Sequence, residues 1–116
     1  MGAGALETPL RFDMRPLNGS DKFGRGGGGW TPRVDVVFAH VLAKTGAEAT
    51  LDARREGRQP YDLTLRADDD TRAITIGDRA VELEGDGRVF NVKSVAPHPK
   101  RAGYLLLLGE TGGAAG

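Results

Sequence analysis

The chain has 116 residues, with 16 Lys plus Arg balanced by 16 Asp plus Glu, and no cysteine. That length holds one domain with a modest core, and the lack of cysteine excludes disulfides, thiolate nucleophiles and thiolate metal sites. The zero formal charge argues against a free-standing nucleic-acid binder, which draws most of its affinity from a basic excess.

Residues 1–8 are small or polar without periodicity and read as a flexible arm. Their start, Met1-Gly2-Ala3-Gly4-Ala5, lacks the basic and apolar regions of a signal peptide. Leu10, Phe12 and Met14 alternate with Arg11, Asp13 and Arg15, the period of a half-buried strand. Pro16 and Asn18-Gly19 end it, and residues 18–29 form a long loop in which Lys22 and Arg25 stand among Gly19, Gly24, Gly26, Gly27, Gly28 and Gly29.

Trp30 and Pro32 open the most apolar strand of the chain, from Arg33 to Lys44. Strict alternation places Val34, Val36, Phe38, His40 and Leu42 on one face and Asp35, Val37, Ala39, Val41 and Ala43 on the other. Both faces are largely apolar, so one is expected in the core and the other is expected to be covered too, by a closed barrel or a neighbour. Thr45-Gly46 breaks the strand, and residues 47–55 are rich in helix formers. Gly57 and Pro60 precede a further strand, Tyr61 to Arg66, and Asp68-Asp69-Asp70 is a turn. Ile74 and Ile76 suggest a brief extended piece ending at Gly77-Asp78. Val81 to Glu84, Gly85-Asp86-Gly87 and Arg88 to Ala96 carry the signature of a hairpin, with Phe90, Val92 and Ser94 sharing a face. Pro97 and Pro99 flank a turn, and Gly103 to Leu108 closes the fold. The longest unbroken apolar run, Tyr104 to Leu108, is far too short to span a bilayer, and no membrane contact is expected.

About six short strands with one small helix predict a mainly β domain, a small closed or partly open antiparallel barrel. The organisation is an N-terminal arm over 1–8, a barrel over 9–110 that includes the loop at 18–29, and a frayed tail over 111–116.

Sites of chemistry are sparse. Gly24 to Gly29 formally satisfies G-x-G-x-x-G, yet Trp30-Thr31-Pro32 and a strand follow where a dinucleotide site needs a helix N-terminus. The three aspartates at 68–70 lack the further ligands of a calcium loop. His40 and His98 stand on separate elements with no motif between them. Glu48 and Asp52 would share a helix face, a solvated one, and Ser20 and Ser94 lack a nearby base. No enzyme activity, cofactor or metal is expected. A single-strand binder would need aromatic platforms among basic residues, whereas Trp30, Phe38, Tyr61, Phe90 and Tyr104 fall one to an element, as core rings do.

The order of these pieces resembles a known family. Trp30 leads into Val36-Val37-Phe38-Ala39-His40-Val41, followed by Gly46-Ala47-Glu48-Ala49 and Tyr61-Asp62-Leu63-Thr64-Leu65-Arg66. Gly87-Arg88-Val89-Phe90-Asn91-Val92-Lys93-Ser94-Val95 then precedes Lys100-Arg101-Ala102-Gly103-Tyr104 and the apolar run to Glu110. From Leu10 to Glu110 the chain is similar to the phage head-tail joining proteins, also called stopper or head-closure proteins. Its Ala-, Gly- and Arg-rich composition would also suit the related gene transfer agents. The glycine-rich loop and the segment Ala80-Val81-Glu82-Leu83 depart from the family pattern.

The resemblance implies a structural particle protein that joins the DNA-filled head to the tail and closes the DNA exit channel. It implies a homo-oligomeric ring, a dodecamer, with the portal and adaptor on one side and a tail terminator or tail tube protein on the other. Double-stranded DNA would pass through without sequence specificity. The protein would be made in the bacterial cytoplasm and end in the neck of the particle. Lys22, Arg25 and Gly26 to Gly29 are expected near the channel or a neighbouring ring, and Trp30, Val37, Ala39 and Val41 at the subunit interface. The alternative is a small β-barrel module that binds nucleic acid or protein outside any particle.

Overall fold

The computed structural model describes residues 6–15, 29–45 and 48–112. Six strands are present: β1 (Thr8–Met14), β2 (Thr31–Ala43), β3 (Gln59–Arg66), β4 (Arg79–Glu82), β5 (Val89–Pro97) and β6 (Tyr104–Thr111). They close into an antiparallel barrel in the order β1-β2-β3-β6-β5-β4, and one short helix, α1 (Glu48–Arg55), crosses from β2 to β3. The predicted barrel and hairpin are therefore present, with β4 and β5 paired Arg79 to Asn91, Ala80 to Phe90 and Val81 to Val89.

Inward side chains from every strand meet in one core. Phe12 and Phe90 fill its centre, with Leu10, Leu63, Leu65, Val92 and Leu107 around them. A barrel of this size has room only for side chains, so every wall position is tightly contested. Gly109 shows this most sharply. A Cβ there would lie 3.0 Å from Phe90 Cβ and 3.2 Å from Leu63 Cδ1, so Phe90 and Leu63 leave no room for a larger residue.

Helix α1 stops where its sequence allows a left-handed residue. Gly57 has φ +84°, its N–H donates to the Arg54 carbonyl at 3.0 Å, and the Arg58 N–H donates to the Ala53 carbonyl at 2.9 Å. This pair of bonds satisfies carbonyls that the helix end would otherwise leave bare.

Of the extended piece expected around Ile74 and Ile76, Ile74 is extended at φ −63° and ψ 136°, but no strand pairs there and Ile76 lies in a turn. Asp68 and Thr71 instead bond reciprocally, the Thr71 N–H to Asp68 Oδ1 and the Asp68 N–H to Thr71 Oγ1, both at 2.8 Å, and Thr71–Ala73 forms a 3-10 turn. Ile74 plugs the core and Ile76 is exposed. Local side-chain bonding has outcompeted strand pairing here.

Three register shifts interrupt the ladders, one of them between Phe12 and Asp13, and the other two decide which way the core side chains point. Between the pairs Leu10–Val37 and Phe12–Val34, two residues of β2 oppose one of β1. Between Val92–Gly109 and Ser94–Leu108, β5 carries one extra residue, Lys93. Each extra residue reverses the alternation beyond it. Val95, and not Ser94, therefore packs against the core after Phe90 and Val92.

Replacing Gly109 with Val is expected to destabilise the barrel by about 1–3 kcal/mol through overpacking. Urea unfolding of the two proteins would measure it, and equal midpoints would contradict the tight wall.

Candidate assembly surface

The outer face of β2 is the most apolar part of the described surface. Val36, Phe38 and Leu42 are 54%, 51% and 54% exposed. Pro9 of β1 lies opposite Phe38, and the Leu83 N–H donates to the Pro9 carbonyl at 3.0 Å, which brings the exposed Leu83 into the same row. On the other side Leu42 faces Asp62 of β3, and His40 faces Thr64. Leu108 and Leu106 of β6 lie beyond them, each half-buried. The strip is edged by the Lys44–Asp62 ion pair at 3.5 Å.

The residues expected at the subunit interface occupy different places on this barrel. Val37, Ala39 and Val41 face inward: Ala39 is fully buried in the core, and Val37 and Val41 pack against it. The reason is the β2 bulge, which lets Val34 and Ala39 enter the same core although they lie on opposite faces under strict alternation. The residues left outside are the ones that alternation had placed with Val34. Trp30 stays at the surface end of the strand, half-buried, with the Arg79 guanidinium 4.3 Å and that of Arg15 5.5 Å from its ring centroid. Cation–π contacts of this kind hold the aromatic side chain in one place.

Lys22, Arg25, Gly26, Gly27 and Gly28 lie outside the described residues, and Gly29 forms a turn at the base of their segment. That base is held by buried carboxylates. Asp13 accepts from Arg11 Nε at 2.8 Å and from Arg79 Nε at 3.0 Å. Asp78 accepts from Arg33 at 2.7 and 3.2 Å and from the Thr75 N–H at 3.1 Å. Elsewhere on the barrel, Glu82 takes two bonds from the Arg88 guanidinium, at 2.7 and 3.0 Å, and one from the Arg88 N–H at 2.9 Å. Arg88 also donates to Tyr61 Oη at 3.0 Å, and its guanidinium lies 5.1 Å from the Tyr61 ring.

These contacts shift the acids. Burial pushes the Asp13 carboxyl up, but the guanidiniums of Arg11 and Arg79 outweigh it and hold it below the usual carboxylate range. The bonds from the Arg88 side chain do the same for Glu82, against the opposing effect of burial.

The remaining candidates do not converge. Asp68 is spent on the turn with Thr71, and Asp69 lies exposed 4.0 Å from Arg72. Asp52 is exposed beside Arg55 at 3.6 Å. His98 Nδ1 accepts from the Lys100 N–H at 3.1 Å, and His40 lies on β2. Among the described residues no group of three His, Cys, Asp or Glu is placed to hold a metal ion, and no helix is long and apolar enough to cross a membrane.

A closed barrel that turns a strand of apolar side chains to the outside is the architecture of a part made to be packed against other parts. The family-model comparison agrees: the model of the phage head completion proteins matches residues 1–112, and the chain belongs to that family of structural particle proteins. Among solved structures it is similar to the solution structure of protein SF1141 from Shigella flexneri 2a, at 19% identity, TM-score 0.64 and full coverage of both chains. It is also similar to a chain from the virion of a native gene transfer agent particle, at 21% identity and TM-score 0.55, covering 99% of this chain and all of that one. No curated protein matches by sequence.

Both shifted acids are stronger in the folded state, so their stabilisation is complete above the unfolded carboxylate range near pH ~4 and drains away as pH falls through the lower folded values. The melting temperature is expected to hold from about pH 7 to 5 and to fall below about pH 4. The double variant Asp13→Asn, Glu82→Gln should be less stable at neutral pH and show a shallower acid slope in calorimetry. An unchanged slope would contradict the assignment.

Proposed function

We propose that this chain is a neck protein of a phage-like particle. It joins the DNA-filled head to the tail and closes the DNA exit channel as a homo-oligomeric ring, a dodecamer. The portal and adaptor lie on one side of it and a tail terminator or tail tube protein on the other. The observation that carries the reading is the outer strip Val36, Phe38 and Leu42 on a barrel whose core is already complete without it. Those side chains are about half exposed in the isolated subunit, and covering the rest would gain roughly 0.7–1.5 kcal/mol each. Family membership supplies the particle, and the strip supplies a contact between neighbouring copies.

The charge balance supports the channel role. With 16 basic and 16 acidic residues, a ring of such chains lets double-stranded DNA slide past without strong counterion-driven binding. Lys22, Arg25 and the glycines from Gly26 to Gly29 belong to the loop assigned to the channel or the next ring. Of the segments 1–8 and 111–116, Thr8 and Thr111 lie in β1 and β6, and the remainder are assigned as arms that order on assembly. Synthesis in the bacterial cytoplasm, without enzymatic activity of its own, completes the reading.

Electron microscopy of particles from a strain lacking the gene tests it. Packed or leaky heads beside complete, unattached tails are expected, and normal tailed particles would contradict the reading. Complementation with the double variant Phe38→Glu, Leu42→Glu should restore a folded protein yet yield about 100-fold fewer joined particles, because each ring contact would then bury unpaired charge.

A further inference from the structure

Strands of unequal length leave this closed barrel with two stretches of open edge. β5 runs past the start of the short β4, and β2 runs past the start of β1. The first stretch is protected. The His98 N–H donates to the Tyr104 carbonyl at 2.9 Å, which turns the even positions of this half of β5 towards β6 and the odd ones outward. On that outward edge stand the bulge residue Lys93 and Pro97, which has no N–H to offer.

The second stretch has no such protection. The Lys44 N–H donates to the Pro60 carbonyl at 3.0 Å, so the even positions of β2 pair with β3, and the backbone groups of Val41 and Ala43 point the other way. The β1 ladder ends at Thr8 opposite Ala39, and among the described residues nothing pairs with β2 beyond it. His40-Val41-Leu42-Ala43 contains no Lys, Pro or bulge.

The register that brings Thr8 to Ala39, Pro9 to Phe38 and Leu10 to Val37 would place residue 6 opposite Val41 and residue 4 opposite Ala43. Yet Leu6 and Glu7 of the same chain stand outside the ladder. The edge therefore has a matching register that Leu6 of its own chain does not take.

We propose that residues 2–7 of a second copy add to this edge as an extended strand, so that neighbouring subunits of the ring exchange N-terminal arms. The inference rests on the ring reading above. Six extended residues reach about 20 Å, enough to cross from one barrel to the next. An arm of one copy in the edge of the next is a head-to-tail contact, the kind that closes into rings, whereas pairing of two β2 edges would stop at a dimer. Main-chain hydrogen bonds would hold the arm, and its Gly2, Ala3, Gly4 and Ala5 fit where space between subunits is short. So short and glycine-rich a strand binds weakly in free solution and forms once subunits are held side by side.

The chain has no cysteine, which makes cross-linking clean. Positions 4 and 43 would sit as a hydrogen-bonded pair with Cα atoms about 5.5 Å apart, within disulfide range. Particles assembled from a mixture of the Gly4→Cys and Ala43→Cys proteins are oxidised and run on a non-reducing gel. A covalent dimer is expected, and its yield should fall at least about tenfold when the Ala43→Cys protein also carries Val41→Pro, which removes the outward edge N–H that residue 6 of the arm would meet. A Gly4→Cys, Ala43→Cys double variant should likewise give covalent multimers. Internally bridged monomers alone would overturn the exchange in favour of an arm that folds back on its own barrel. Joined particles without the cross-link would also overturn it, while leaving the connector reading intact. Normal tailed particles in the gene's absence would instead remove the connector reading itself.

Discussion

The bulge in β2 is the constraint from which the rest of the molecule follows. By letting Val34 and Ala39 both face inward, it completes a core around Phe12 and Phe90 and turns Val36, Phe38 and Leu42 out of it. Without the extra residue, the same strand would have to expose part of its core set or bury the charge of Asp35. A bulge is a cheap solution, since it costs ladder hydrogen bonds only locally and increases the twist that barrel closure needs. Its consequence is an apolar strand on the outside, in a family whose members are parts of particles.

A barrel this small has little stability in reserve, and buried ion pairs fix what packing leaves loose. Asp13, Asp78 and Glu82 are each nearly inaccessible and each takes more than one bond. Removing one partner would leave a buried charge behind, so these pairs act as constraints on register more than as sources of net stability. Arg79 connects two of the devices: it bonds Asp13 and stacks on Trp30, so the end of β1, the start of β2 and the start of β4 are held as one unit.

Much of the fold is legible in the chain itself. Gly85-Asp86-Gly87 between apolar runs marks the β4–β5 hairpin, Gly57 marks the end of α1, and the strands at Leu10, Val34, Tyr61 and Tyr104 show in alternation or apolar runs. The orientation of the assembly surface is less accessible, because periodicity carries no sign of where an extra residue enters. One signal was present. Asp35 shares a strict-alternation face with Val37, Ala39 and Val41, and a charge in line with core residues calls for a break in parity beside it. The pairs Arg33–Asp78 and Asp13–Arg79 span 45 and 66 residues, and nothing local announces them. The turn at Asp68-Asp69-Asp70 is legible, but the 3-10 turn at Thr71 is not, because it rests on reciprocal bonding between Asp68 and Thr71 that apolar alternation does not show.

The central claim is that the outer face of β2 is covered when the particle assembles. Position 38 reports on it directly, because Phe38 is half exposed in the isolated subunit and the chain contains no competing thiol. The measurement is thiol labelling of a Phe38→Cys variant, free in solution and within purified particles. Rapid labelling of the free protein and protection in the particle are the predicted result. Equal labelling in both states would contradict the account.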